Sequence, residues 1–183
     1  MTPTETAAVG LHDAAALWSV GQRGAAQNVV RVACDALVAG LDSPTLGILA
    51  ARTANEADLE VPELLPIVLD ELGLPPLPRD SVAGKEAVAT ALAAQLTSGK
   101  TTPRDLASQA HQLFGHELPL TQRLAELDDE YDIIEYGNRT IDEVDADVIA
   151  EARRLTGRRP WPTSPEPTGP PTLTGTDQPA GSR

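Results

Sequence analysis

The chain has 183 residues, of which 41% are apolar and only 3% aromatic, and its formal net charge at pH 7 is −13. This length is enough for one domain whose core is filled mainly by alanine and leucine, both strong helix formers. The acidic balance argues against nucleic acid and anionic membranes as partners, because both are bound mainly through cationic side chains.

Residues 1–10 are typical of a flexible N-terminus. They contain neither the basic region nor the apolar segment of a secretory signal, so we expect a cytoplasmic protein. The longest uncharged stretch in the helical part of the chain, residues 87–99, is too short to cross a bilayer. We therefore expect no membrane span.

Apolar residues at helical spacing predict four helices in the first half of the chain. The first covers residues 11–20. The second ends at Gly40, because glycine readily takes the left-handed conformation that closes a helix. The third begins after Asp42 or Ser43, either of which can cap it, with Pro44 in its first turn.

The fourth predicted helix covers residues 62–72. Pro66 removes one backbone donor inside it, which predicts a kink or a late start. The proline-rich segment 72–80 follows and is typical of a stiff linker. Since it lies at the midpoint of the chain, it is a candidate junction between two subdomains that share one core.

Four further helices are predicted after this linker. One covers residues 81–97, and the next has Thr102 as its cap and ends at Gly115. The last begins with a capping box of Thr140 and Glu143, in which each side chain accepts from the other residue's amide. Before it lies the most regular helix, whose apolar seam follows heptad spacing: Leu120, Leu124, Leu127, Tyr131 and Ile134.

The composition changes at residue 158. Residues 158–183 contain seven prolines and three glycines, a composition that supports neither a helix nor a core. Trp161 is the one aromatic residue of this tail. We therefore predict an all-α bundle of seven or eight short helices over residues 11–157, followed by a disordered proline-rich tail.

An acidic block over residues 126–151 carries most of the charge. It holds eleven carboxylates and one basic residue, Arg139, which together supply −10 of the net charge. Such charges are stabilising at the start of the last helix, but the helix dipole disfavours them at the end of the seventh. The carboxylates at the end of the seventh helix are the predicted partner-binding cluster: Asp128, Asp129, Glu130, Asp132 and Glu135.

Two short motifs are partly similar to known functional elements. Residues 94–101 satisfy a relaxed phosphate-loop pattern, but a helix precedes them where such a loop requires a buried strand. Residues 46–53 are similar to the first half of a helix-turn-helix. The recognition helix would then fall at residues 56–72, which carry six acidic residues and no basic one. We expect neither nucleotide nor DNA binding.

Candidate metal ligands are sparse in the sequence. His111 and His116 are five residues apart across a helix end, so we expect them not to share a face. The acids at 142–147 lack the glycine of a calcium loop, and no serine lies in a strand–turn–helix context. The sequence therefore predicts no metal site, no bound cofactor and no catalytic residues.

Four features of the second half occur together. An alanine-rich helix ends at residues 97–100, a capped helix start follows at 102–107, an acidic stretch covers 124–131, and a closing helix covers 147–155. In these features the chain resembles an uncharacterised group of all-helical bacterial proteins. No activity is known for that group, so the resemblance implies a helical domain and no site residues.

These observations favour a non-enzymatic protein-binding module. A specific form is an inhibitor or immunity-type protein that masks a basic partner electrostatically. One alternative is a small enzyme whose carboxylates converge in a cleft. Another is an oligomerising scaffold that uses the apolar seam at 120–134.

Overall fold

The computed structural model describes residues 1–78 and 81–157. Over these ranges the chain forms eight α-helices, one short 3-10 helix and no β-strand, which confirms the predicted all-α fold. The tail predicted to be disordered, residues 158–183, lies outside the described residues. The elements are α1 (Pro3–Ser19), α2 (Ala25–Val38), α3 (Pro44–Ala50), α4 (Ala57–Glu71), α5 (Val82–Thr97), α6 (Pro103–Phe114), α7 (Gln122–Asp132), η1 (Ile134–Tyr136) and α8 (Ile141–Gly157).

Predicted caps begin two of these helices. The hydroxyl of Ser43 accepts a hydrogen bond from the amide of Leu46 at 3.1 Å, so Ser43 rather than Asp42 caps α3. The hydroxyl of Thr102 accepts from the amide of Asp105 at 3.2 Å at the start of α6. Each bond satisfies an amide that has no acceptor within its own helix.

The N-terminus differs from the flexible segment predicted for residues 1–10, because α1 begins at Pro3. The hydroxyl of Thr2 accepts from the Glu5 amide at 3.1 Å, and the Glu5 carboxylate accepts from the Thr2 amide at 2.7 Å. This capping box, with proline in the first helical position, is a strong start signal. Ala8 is buried, so the added turns pack against the core.

Helix α4 begins at Ala57, before the predicted start, and contains both Pro62 and Pro66. Each proline removes a backbone donor, which costs stability inside a helix. Burial of the inner face of α4, where Val61 and Val68 have no exposed area, offsets that cost. Tertiary packing therefore outweighs local propensity in this helix.

The buried side chains form two clusters, one among α1–α4 and one largely among α5–α8. Helix α1 contributes to both, since Leu11 and Ala14 pack in the first cluster whereas Ala16 and Leu17 pack in the second. Leu77, between α4 and α5, packs against both clusters. The two halves are thus joined through α1 and Leu77, and a subdomain junction at the 72–80 segment stays a prediction.

The apolar seam predicted for the seventh helix faces the core. Leu124 and Leu127 have no exposed area, and Tyr131 is almost fully buried. Leu120 and Ile134 pack against the same cluster, although both lie just outside α7. Because its central residues are buried within the chain, the seam offers little surface to a second copy, and a scaffold that assembles through it stays a prediction.

The longest described helices, α1 and α8, have 17 residues each. Within the described ranges, no helix combines the length and the hydrophobicity needed to cross a bilayer.

Candidate functional site

The acidic block lies along α7, through η1 and along α8. Helix α7 packs against both α6 and α8, which brings basic side chains of α6, α7 and the connecting segments onto the block. These side chains are Arg104, His111, His116, Arg123 and Arg139. Arg104, His111 and His116 are distant from the block in the sequence, whereas Arg123 lies three residues before it and Arg139 lies within it.

Arg139, the only basic residue within the block, bridges α7 and α8. Its Nη2 lies 2.8 Å from Asp147 Oδ2 and 3.1 Å from the Glu143 carbonyl oxygen, and its Nη1 pairs with Glu130. Arg123 reinforces the bridge, with its guanidinium 3.1 Å from Glu130 and 3.3 Å from Asp147. The hydrogen bond from Arg139 holds the pKa of the Asp147 carboxyl below its ordinary value.

Thr140 and Glu143 form the predicted capping box at the start of α8. The Glu143 carboxylate accepts from the Thr140 amide at 2.8 Å, and the Thr140 hydroxyl accepts from the Glu143 amide at 3.3 Å. The hydrogen bonds from the Thr140 backbone and side chain lower the pKa of Glu143. This part of the block thus has the structural role that its position at a helix start predicts.

Tyr131 connects α7 to α8 from inside the bundle. Its hydroxyl donates to Asp145 on α8, and the guanidinium carbon of Arg104 lies 5.4 Å from the centroid of its ring. Burial, and after it the hydrogen bond to Asp145, raises the pKa of Tyr131 above its ordinary value. The protonated phenol therefore donates to Asp145 and links α7 to α8.

Two aspartates of the predicted partner-binding cluster face histidines. His111 Nδ1 lies 3.0 Å from Asp128 Oδ2 and 3.7 Å from Asp129 Oδ1. His116 Nε2 lies 3.3 Å from Asp129 Oδ2. The two imidazole rings meet edge to face with their centroids 4.9 Å apart, so histidines expected not to share a face come together at the end of α6.

The other members of the predicted cluster differ in their exposure. Glu130 is only half-exposed within the Arg139 bridge. Asp132 forms an exposed ion pair with Arg104 at 3.7 Å, and Glu135 is exposed on η1. Exposed pairs of this kind add little stability. Asp132 and Glu135, together with Asp129, are therefore the members exposed on the outer surface.

Three large apolar side chains are exposed beside these acids. Ile133, Tyr136 and Ile141 lie within nine consecutive residues, are here called the apolar patch for that reason, and have 59%, 88% and 54% of their area exposed. They lie on the connection from α7 to α8, at the centre of the acidic block. No helical periodicity marks them in the sequence, so only the folded chain shows that they project outward.

A separate groove with a volume of about 1210 Å³ lies between α1, α2 and the end of α5. Arg23, Arg31 and Lys100 are in its lining, and no residue of the 126–151 block is. Residues of the 94–101 segment also line this groove. Helix α5 forms the first part of the segment, in agreement with the expectation that a helix rather than a strand comes before its turn. The groove therefore does not gather the carboxylates of the acidic block.

Comparison of the chain with models of protein families, with curated proteins and with solved structures finds no match. The resemblance to helical bacterial proteins stays a prediction.

Proposed function

We propose that the protein is a non-enzymatic binding module that docks on a basic protein partner through the connection from α7 to α8. The observation that carries this proposal is the apolar patch, exposed in the middle of the acidic block. Large exposed apolar side chains within a polar surface are typical of protein–protein interfaces. A cytoplasmic setting belongs to the same proposal.

Tyr136 is the side chain best suited to anchor the partner. A tyrosine buries a large area with few rotatable bonds, so it loses little entropy when a partner covers it. The chain has two tyrosines, and the other, Tyr131, is buried in the core. Tyr136 is thus the candidate hot spot of this surface.

The charges around the patch determine which partner is complementary. Asp132, Glu135 and Asp142 are exposed and flank the apolar residues along the chain. A net charge of −13 also steers basic proteins toward this surface, an effect that salt screens. A basic surface with an apolar pocket for Tyr136 fits these features, as in a complex of the inhibitor or immunity type.

The backbone beneath the patch is held by ion pairs. Arg139 lies between Tyr136 and Ile141 in the chain and joins Glu130 on α7 to Asp147 on α8. A surface that already has its bound shape loses less entropy on association. The paired carboxylates therefore support binding by fixing the patch, while the exposed ones meet the partner.

The enzyme alternative has less support from the geometry. In glycoside hydrolysis, for example, the two carboxyl groups that act on the substrate lie about 5–9.5 Å apart in an open cleft. The large groove is lined by Glu5 and Asp13, which are eight residues apart on α1 and so about 12 Å apart along its axis. We therefore propose a binding role without catalysis.

Affinity capture from the native host, with three forms of the protein, tests the proposal. The forms are the wild type, Tyr136→Ala and the control Val38→Ala, which trims an equally exposed apolar side chain on α2. We expect wild type and Val38→Ala to capture the same basic protein at low salt, and Tyr136→Ala to lose it. With the purified partner, the Kd should rise by about tenfold or more in Tyr136→Ala.

Two outcomes would contradict this function. One is a partner that Tyr136→Ala retains with unchanged affinity. The other is an affinity that does not fall between low and high ionic strength, since a partner recognised by charge must be weakened by screening.

A further inference from the structure

We propose that His111, His116 and Asp129, with Asp128 beside them, bind one divalent transition-metal ion, for which Zn²⁺ is the best-fitting candidate. The site lies where α6 ends and faces α7. It shares no residue with the apolar patch, so its test is independent of the proposed partner binding.

Gly115 explains how two histidines five residues apart come together. In a continuous helix their side chains would point about 140° apart around the axis. Helix α6 ends at Phe114, and Gly115 takes φ 54° and ψ −142°, a conformation that side chains disfavour. The chain turns back at this glycine, which places the ring of His116 against that of His111.

The ligand atoms lie near the spacing of a tetrahedral site, with Asp129 facing each histidine through a different oxygen. Zinc bonds of about 2.0–2.1 Å place neighbouring ligand atoms about 3.4 Å apart. His116 Nε2 and Asp129 Oδ2 are 3.3 Å apart, and His111 Nδ1 and Asp129 Oδ1 are 3.7 Å apart. The three ligand atoms all lie within 4.8 Å of one another, so small side-chain rotations place them on one ion.

Asp128 lies beside this group of three and contacts its first histidine. Its Oδ2 lies 3.0 Å from the same nitrogen of His111, and its side chain is the least exposed of the four. Without an ion, this carboxylate pairs with the imidazole. With an ion on His111 Nδ1, His116 and Asp129, a water takes the fourth position and Asp128 remains beside the site as a second negative charge.

The donor set selects the class of metal. Calcium and magnesium prefer sites made only of oxygen, whereas imidazole nitrogen suits zinc, copper and nickel. Zinc takes four ligands of this kind in a tetrahedron, and two carboxylates balance its charge. The surrounding acidic block also raises the local concentration of cations.

Titration calorimetry with zinc chloride, on the full chain prepared without a histidine tag, tests the site. We expect one ion per chain and a rise in Tm with zinc, because a ligand that binds the folded state stabilises it. His116→Ala and Asp129→Asn should each weaken zinc binding by about tenfold or more and remove the rise in Tm. Both side chains are at least half exposed, so circular dichroism should show an unchanged fold.

His12→Ala is the matched control, because it removes a histidine of α1 that lies outside the cluster. It should bind zinc as the wild type does. The proposal is wrong if the wild type does not bind one zinc ion, if His116→Ala binds it equally well, or if Ca²⁺ binds as tightly as Zn²⁺. The first of these results would leave an ion-pair cluster that only joins α6 to α7.

Discussion

Arg139 and Asp147 are joined by a hydrogen bond of 2.8 Å between Nη2 and Oδ2, across the junction of α7 and α8. Arg139 is the single basic residue among the eleven carboxylates of the acidic block. It also pairs with Glu130, so one side chain neutralises acids on two helices. The end of α7 tolerates dense negative charge because basic groups folded onto it offset the unfavourable helix dipole.

Replacing Arg139 with alanine should lower Tm slightly at low salt. Partly exposed ion pairs contribute modestly and are screened, so the loss should shrink as the salt concentration rises. Arg153→Ala removes an exposed arginine of α8 and controls for net charge. Thermal unfolding at two salt concentrations measures the effect, and equal losses in both variants would mean that net charge rather than the bridge is responsible.

The stability of the fold should decrease in acid. The Arg139 hydrogen bond lowers the pKa of Asp147 from 3.8, and the Thr140 backbone bond lowers that of Glu143 from 4.5. A lowered pKa in the folded state means that each carboxylate stabilises the protein above its ordinary pKa. This contribution is lost as pH falls through the folded value.

Thermal unfolding as a function of pH tests this expectation. Tm should fall as pH drops below about 4, where these carboxylates take up protons in the unfolded chain first. Asp147→Asn cannot titrate at this position, so its Tm should fall less steeply over the same range. If Tm of the variant falls with pH as steeply as Tm of the wild type, Asp147 does not contribute to the acid sensitivity.

Gly115→Ala should destabilise the fold by about 1–3 kcal/mol, because φ 54° with ψ −142° strains any residue that has a Cβ. Apart from the glycine itself and its two neighbours in the chain, no described atom lies within 4 Å of the position that the Cβ would take, so the cost is mainly backbone strain. Urea unfolding measures it. Gly47→Ala is the control, since that glycine is helical and equally open, and there alanine should stabilise by up to about 1 kcal/mol.

Leu127→Ala should cost about 2–5 kcal/mol, because it leaves a cavity where a fully buried side chain of α7 packs. Leu113→Ala is the matched control on α6, where 43% of the side chain is exposed, and it should cost much less. Chemical unfolding of both variants gives the two free energies. Equal losses would contradict the inward direction of the α7 seam.

Local signals made much of the fold predictable. Thr102 and Thr140 begin helices where a hydroxyl, an acid and an apolar run stand at fixed spacing. Thr2 and Glu5 form a capping box of the same kind, although residues 1–10 were predicted to be flexible. The start of α4 was harder to predict. Its prolines favour a late start, whereas burial against other helices stabilises the early one.

The candidate sites were less accessible from the sequence. Asp128 and Asp129 could be singled out as unusual charges at a helix end, but their histidine partners depend on the packing of α6 against α7. The approach of His116 to His111 depends on the turn at Gly115, which spacing along the chain does not reveal. The same limit applies to Tyr136, whose exposure is a property of the folded connection.

Helix α1 places Ala14 in one hydrophobic cluster and Leu17 in the other, within a single helical turn. Neither half can open fully without uncovering part of this shared helix. We therefore expect the described bundle to unfold in one cooperative transition. A ligand that stabilises the folded state at the end of α6 would then also slow amide hydrogen exchange in α2, which packs in the other cluster.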